Sequence, residues 1–153
     1  MRNEKALHIV FFTLYLVVII ISIVSLRPLT TSLTLVGLLS IIFGLTLIAL
    51  AARSRGLNRR PQSLIKENVY SIIRHPEYLG HIMILTGFTL MSKDIVTLAL
   101  SVFLIASLYY AATAEERELV KIYGEDYLNY SKRVPRMNLI LGLLRKLKSK
   151  DKS

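Results

Sequence analysis

The chain has 153 residues, 53% of them hydrophobic, with a formal net charge of +10 and no cysteine. Disulfide scaffolds, thiolate nucleophiles and zinc–thiolate sites are therefore excluded, and the length suits one compact unit. The mean hydropathy of +0.50 comes from long apolar blocks, the pattern of a membrane protein rather than of a soluble core.

The first block, Leu7 to Leu26, carries no charge and is long enough to cross the hydrocarbon layer as a helix of roughly 30 Å. Arg2 and Lys5 precede it, as they would in a signal peptide. The run is long for one, and no small-x-small cleavage site follows, so an uncleaved helix is expected. Arg27-Pro28 ends it and Thr30-Thr31-Ser32 predicts a tight turn. A second span is expected over residues 33–52, where Gly37 and Gly44 permit close helix packing.

The composition then changes. Arg53, Arg55, Arg59, Arg60, Lys66 and Arg74 stand against a single Glu67, which predicts a polar loop over residues 53–75. A loop of that length usually has work to do. A third span is expected over 76–91, with Pro76 in the first turn where its missing N–H costs little. Ser92-Lys93-Asp94 forms the next turn and residues 95–112 the fourth span, the two spans making a hairpin. Beyond it lie a charged helical segment, 113–136, with Gly124 as a helix stop, and a basic tail, 137–153. The apolar part of that tail, from Met137 to Leu147, suits a membrane interface. Its cations suit either anionic lipid or plain solvation.

Charge fixes the expected orientation. Of the 20 Lys and Arg residues, 18 lie at the N-terminus, in the 53–74 loop or from Arg117 onward. Only Arg27 and Lys93 fall on the opposite side. This predicts four spans with both termini cytoplasmic. It also gives the +10 charge a plainer cause than nucleic acid, for which no motif is present.

Common cofactor signatures are absent: no GxGxxG, no phosphate-binding loop and no HExxH occur. His8, His75 and His81 lack metal-ligand spacing. Two polar segments remain, both expected on the cytoplasmic face. The first, from Asn68 through Tyr70, Arg74, His75, Pro76, Glu77 and Tyr78 to Gly80, places a cation, an imidazole and phenols at a helix N-terminus. That chemistry suits a carboxylate, an adenine face or a sulfonium. It equally suits an interfacial belt of Tyr and Arg. In the second, Glu115, Glu116 and Glu118 precede Tyr123, Tyr127 and Tyr130. The carboxylates suit ribose hydroxyls. Thr113-x-x-Glu116 also reads as a capping box that starts a helix, and tyrosines at helical spacing also read as packing.

Together the segments are more specific. Arg74-His75-Pro76-x-Tyr78-x-Gly80 is followed by Glu115-Glu116-x-x-Leu119-x-x-x-Tyr123-Gly124-x-x-Tyr127-x-x-Tyr130-x-x-x-Val134-Pro135. The pair resembles the isoprenylcysteine carboxyl methyltransferase family and its phospholipid methyltransferase relatives, over roughly residues 62–136. The resemblance implies an all-α membrane protein with about four transmembrane helices, a C-terminal hairpin and a cytoplasmic pocket for S-adenosylmethionine. It implies cofactor contacts at Tyr70, His75, Pro76, Glu77, Tyr78 and Glu115, and backbone contacts at Gln62, Ser63, Leu64 and Ile65. Arg74 is expected to hold the cofactor's carboxylate. A lipidic methyl acceptor and membrane lipid are the implied partners. The eukaryotic members carry a substrate-facing arginine one turn before the glutamate matching Glu115. Here that position is Ala111, so a carboxylate acceptor would need Arg55, Arg59 or Arg117 as a substitute. Two alternatives stand beside this reading. One is an NADPH-dependent membrane reductase like the sterol C14-reductases, which share a similar C-terminal motif set. The other is a non-catalytic membrane interaction protein.

Overall fold

The computed structural model describes residues 2–26, 28, 32–58, 63–92 and 94–150. Among them run helices α1 (Arg2–Val24), α2 (Ser32–Leu57), α3 (Pro76–Met91), α4 (Ile95–Tyr123), α5 (Glu125–Arg133) and α6 (Leu139–Lys150), with a single 3-10 turn at Asn68–Ser71. No strand forms among the described residues, only an isolated bridge between Leu26 and Ser92. The expected all-α class is found. Helices α2 and α4 are each long and apolar enough to cross a membrane, and α1 contains a shorter apolar stretch, Ile9–Val24.

The chain forms two compact units, Met1–Gly44 with His81–Tyr109, and Leu45–Gly80 with Tyr110–Ser153. In the first, α2 and α3 approach backbone to backbone. A Cβ added to Gly37 would lie 2.7 Å from the Gly87 carbonyl oxygen, and one added to Gly87 would lie 2.5 Å from that of Gly37. The Ser40 hydroxyl donates across the same seam to the Met83 carbonyl at 2.7 Å. Small residues let the two backbones approach closely, and the Ser40 hydrogen bond adds a polar link between the helices. Asp94 starts α4, its carboxylate accepting from the Thr97 N–H at 2.8 Å. The expected turns at Thr30-Thr31 and at Lys93 involve residues outside the described ones.

In the second unit the helices run further than the composition suggests. Arg53 and Arg55 ride the last turns of α2 instead of opening a loop. Helix α4 continues without interruption to Tyr123. Thr113 and Glu116 are therefore mid-helix residues, and the capping-box reading is wrong. Nothing between Ala111 and Tyr123 stops a helix: the stretch lacks Gly and Pro and is rich in Ala and Glu. The stop comes at Gly124, with φ +52, a conformation most side chains resist. Helix α5 follows with Glu125 and Asp126 in its first turn and Lys132 and Arg133 in its last, each sign complementing the helix dipole.

Two apolar clusters support this unit. Leu47 and Ala51 of α2 pack with Val69 and Ile73, joined by Tyr70, Ile72, Leu79 and Leu139. Tyr127, Tyr130 and Val134 pack with Leu64, Leu119, Val120 and Tyr123, so the helically spaced tyrosines are packing residues. The Tyr130 hydroxyl donates to the Tyr70 carbonyl at 2.7 Å.

The α2–α3 seam yields a prediction. Gly87→Ala is expected to destabilise the purified protein by about 1–3 kcal/mol through overpacking against backbone. Gly56→Ala, where nothing lies within 4 Å of the added carbon, should be neutral or slightly stabilising. Thermal unfolding in detergent checks the pair.

Candidate functional site

The second unit gathers its polar side chains around Glu116. Leu104, Leu108 and Ala112 are buried at four-residue spacing on α4, and Glu116 is the next position on that face. A carboxylate carried inward needs partners, since a buried unpaired charge is costly. Glu116 has three. Its Oε1 accepts from Arg136 Nε at 3.0 Å and lies 3.1 Å from both Arg74 Nη2 and His75 Nε2. Its Oε2 accepts from Arg136 Nη2. The two arms of Arg136 thus grip the carboxylate bidentately, while its Nη1 donates to the Thr113 hydroxyl at 3.1 Å.

Backbone bonds reinforce this convergence. The Arg74 N–H donates to the Pro135 carbonyl at 3.0 Å and the His75 N–H to that of Arg136 at 3.1 Å. The segment that enters α3 is thereby tied to the chain after α5, about sixty residues away, and both are tied to mid-α4.

The electrostatics follow from the geometry. Burial raises the Glu116 carboxyl, but Arg136, Arg74 and His75 outweigh it and leave Glu116 below the usual carboxylate range. Burial lowers His75, more than Glu115 and Glu116 raise it, and Arg74 adds to the lowering. His75 is therefore neutral near pH 7, with Nε2–H donated to Glu116. That leaves Nδ1 as the ring's acceptor, 3.8 Å from the half-exposed Glu115 carboxylate. The Tyr78 ring meets the imidazole edge-on at 5.4 Å between centroids. Arg74 Nε and the Tyr127 hydroxyl are buried with no hydrogen-bond partner among the described residues, and the guanidinium sits 5.9 Å from the centre of the Tyr127 ring.

A second cluster joins α2 to α3. Arg55 pairs with Glu77 and lies 3.4 Å from the Tyr70 hydroxyl. Burial raises the Tyr70 phenol more than Arg55 lowers it, so it stays protonated. Pro76 is buried at the start of α3. Ser63, Leu64 and Ile65 are half-buried, without helix or strand, leading into the 3-10 turn, and Ser63 lies 3.3 Å from Asn58.

The structure thus brings Tyr70, Arg74, His75, Pro76, Glu77, Tyr78, Glu115 and Arg55 into the same unit. Arg117 is exposed on α4. Gln62 and Arg59 lie outside the described residues. Two residues carry the arrangement in a role the sequence did not assign them: Glu116, read there as a ribose-binding carboxylate or a helix cap, and Arg136. Glu116 was legible once the Leu104–Leu108–Ala112 face is continued by one turn. Arg136 had no comparable signal.

The phospholipid methyltransferase family model matches residues 31–126. The protein-S-isoprenylcysteine O-methyltransferase of Rattus norvegicus is 31% identical over 115 residues, 69% of this chain and 40% of the relative. The Schizosaccharomyces pombe protein of that name is 33% identical over 73 residues, 47% of this chain and 31% of the relative. The methanethiol S-methyltransferase of Pseudomonas deceptionensis is 36% identical over 69 residues, 43% of this chain and 24% of the relative. The chain spans 31–40% of the length of these first two relatives. No solved structure matches it.

Two expectations follow from the Glu116 cluster. Glu116→Ala leaves two guanidinium groups without their carboxylate and should cost roughly 3 kcal/mol or more, whereas Glu115→Ala at the half-exposed neighbour should cost far less. Acid should destabilise the native protein in two stages. His75 binds its proton more weakly folded than unfolded, so stability falls as pH drops below the ordinary histidine range near 6.5. Glu116 holds its charge more strongly folded than unfolded, so further stability is lost only as pH falls through the carboxylate range. His75→Gln should flatten the first stage and leave the second. Thermal midpoints measured across pH test both stages.

Proposed function

Because the chain belongs to the phospholipid methyltransferase family, we propose that it transfers a methyl group from S-adenosylmethionine to a lipidic acceptor at a membrane. The observation that carries this reading is the meeting of the Arg74–Tyr78 and Glu115–Arg136 segments around one carboxylate. The charges of one segment are satisfied by the other, and that brings Tyr70, His75, Glu77, Tyr78 and Glu115 together as candidate cofactor contacts.

The donor set fits that cofactor. Glu77 and Glu115 offer carboxylates to ribose hydroxyls or an ammonium group, and Tyr70 and Tyr78 offer aromatic faces to a sulfonium or an adenine. Arg74 has its Nη2 on Glu116 and its Nε without a hydrogen-bond partner among the described residues, leaving a buried donor for a carboxylate. Gln62, Ser63, Leu64 and Ile65 would contribute backbone contacts. Arg55, Arg59 and Arg117 are the cations available to an anionic acceptor.

S-adenosylmethionine, when bound, supplies an electrophilic methyl group on its sulfur. The chain's own contribution is to position, exclude water and manage a proton. Glu116 fixes His75 with its Nε2–H engaged, so that Nδ1 is the free base of the site. An acceptor arriving as a thiol or amine gives its proton to Nδ1, and the resulting imidazolium lies between Glu115 and Glu116, both of which favour it. A carboxylate acceptor, already ionised, needs no such step. The relatives' names include one acceptor of each kind, isoprenylcysteine and methanethiol. Ala111 lies one turn before Glu115 on the unbroken α4 and brings no cation to this wall. That favours an acceptor other than a prenylcysteine acid.

We further propose a single membrane domain with four spans, at 7–26, 33–52, 76–91 and 95–112, the site and both termini facing the cytoplasm. The apolar lengths of α2 and α4 and the one-sided charge distribution support it. A topology reporter fused after Ser92 is then expected outside, and one at the C-terminus inside. A cytoplasmic reporter at Ser92 would refute the arrangement.

Calorimetry on the purified protein tests the cofactor. S-adenosylmethionine should bind and NADPH should not; the reverse result indicates a reductase, and binding of neither indicates a non-catalytic membrane protein. Glu115→Ala and His75→Ala should each weaken binding roughly ten- to a hundredfold, the loss of about 1.5–3 kcal/mol from a charge-assisted hydrogen bond. Glu118→Ala, whose side chain is exposed and paired with Lys121, should change it little.

A further inference from the structure

Helix α6 has an inner side fixed by packing and an outer side that is exposed among the described residues. A Cβ on Gly142 would lie 2.0 Å from the Ile72 carbonyl oxygen, Leu139 packs on the Leu47–Ile73 cluster, and Lys146 donates to the Ser71 hydroxyl at 2.7 Å. Those three residues define the inner side. Away from that side, Ile140, Leu144 and Leu147 are exposed at 74%, 59% and 61%. Their three- and four-residue spacing makes one continuous apolar stripe.

The charge beside that stripe has a single sign. Between Asp126 and Asp151 there is no acidic residue, while Lys132, Arg133, Arg136, Arg145, Lys146, Lys148 and Lys150 all occur. Helix packing brings part of this series together. Arg145 lies 3.3 Å from the carbonyls of both Lys132 and Arg133, so the exposed end of α5 adds its two cations to those of α6. Lys148 is exposed at the flank of the stripe.

We propose that α6 docks on the anionic phospholipid surface of the membrane, its Ile140–Leu144–Leu147 stripe entering the headgroup boundary and its flanking cations contacting lipid phosphates. An apolar stripe alone would suit any apolar partner. The one-signed flank selects an anionic one, and a helix of twelve residues with cations beside leucines matches an interfacial helix. The inference is independent of the methyl-transfer chemistry. It adds a consequence for it: α6 braces Ile72 and Ser71, only a few residues before Arg74 and His75, so the lipid that α6 reads also bears on the segment that enters the site.

The absence of cysteine permits a clean test on the full chain. Leu144→Cys, labelled with an environment-sensitive fluorophore, is placed in nanodiscs of phosphatidylcholine alone or with added phosphatidylglycerol. Quenching is read from lipids spin-labelled high on the acyl chain. The proposal expects apolar emission and strong quenching only with phosphatidylglycerol, relieved by high salt. Lys148→Gln should lower the docked-to-undocked ratio about fivefold. Equal quenching in both lipid mixtures would overturn it, as would a water-exposed label in both. Energy transfer between labelled copies in place of lipid quenching would overturn it too, and would assign the stripe to a second copy of the chain.

Discussion

A carboxylate turned inward on α4 organises the second unit. Glu116 is mostly withdrawn from water, and the withdrawal is tolerable only because Arg74, His75 and Arg136 converge on it. They come from two other stretches of chain, the Arg74–His75 pair and Arg136, so satisfying one charge closes the structure. The segment before α3 cannot leave without stranding Glu116, and neither can the segment after α5. The backbone bonds from Arg74 and His75 to Pro135 and Arg136 make the same connection without charge. Glu115 and Tyr78, the groups proposed to meet the cofactor, are then held by a frame they do not themselves build.

The same constraint divides the labour between the two adjacent glutamates. Consecutive helical residues point about 100° apart, so only one of Glu115 and Glu116 can lie on the buried face. Glu116 takes the structural position and loses its freedom to meet a ligand. Glu115 keeps an exposed carboxylate and a view of His75 Nδ1. Elsewhere the chain exposes large apolar side chains along its long helices, Phe12 and Leu16 on α1, Leu39 on α2, Val102 and Phe103 on α4. In water such surfaces associate. In the proposed four-span arrangement lipid would cover them, and the satisfied hydroxyls of Ser22, Thr86 and Thr89, each donating back to a carbonyl four residues earlier, suit that setting.

Much of this was legible in the sequence, for identifiable reasons. The helical class follows from long uncharged blocks, and Gly124 from the rule that a left-handed residue ends a helix. The pairing of the two polar segments came from motif spacing rather than from physics, because nothing local states that residue 75 meets residue 116. Composition misled where it was used to set boundaries. The cations at Arg53 and Arg55 read as loop, although a helix that leaves a membrane keeps its hydrogen bonds in water and can run on. Thr113 and Glu116 imitated a capping box because that pattern is local, whereas the buried face from Leu104 to Ala112 showed that the helix was already under way. Arg136 was hidden because an arginine after Val-Pro has no periodicity to mark it; only the tertiary need of Glu116 for a bidentate partner assigns it a role.

The central claim, that Glu116 holds the unit together by direct pairing, is tested most directly by a double-mutant cycle between Glu116→Gln and Arg136→Gln, read as thermal stability of the purified protein. The account predicts strong coupling, about 1.5 kcal/mol or more, with the second substitution costing little once the first is made. Additive effects of the two substitutions would contradict it.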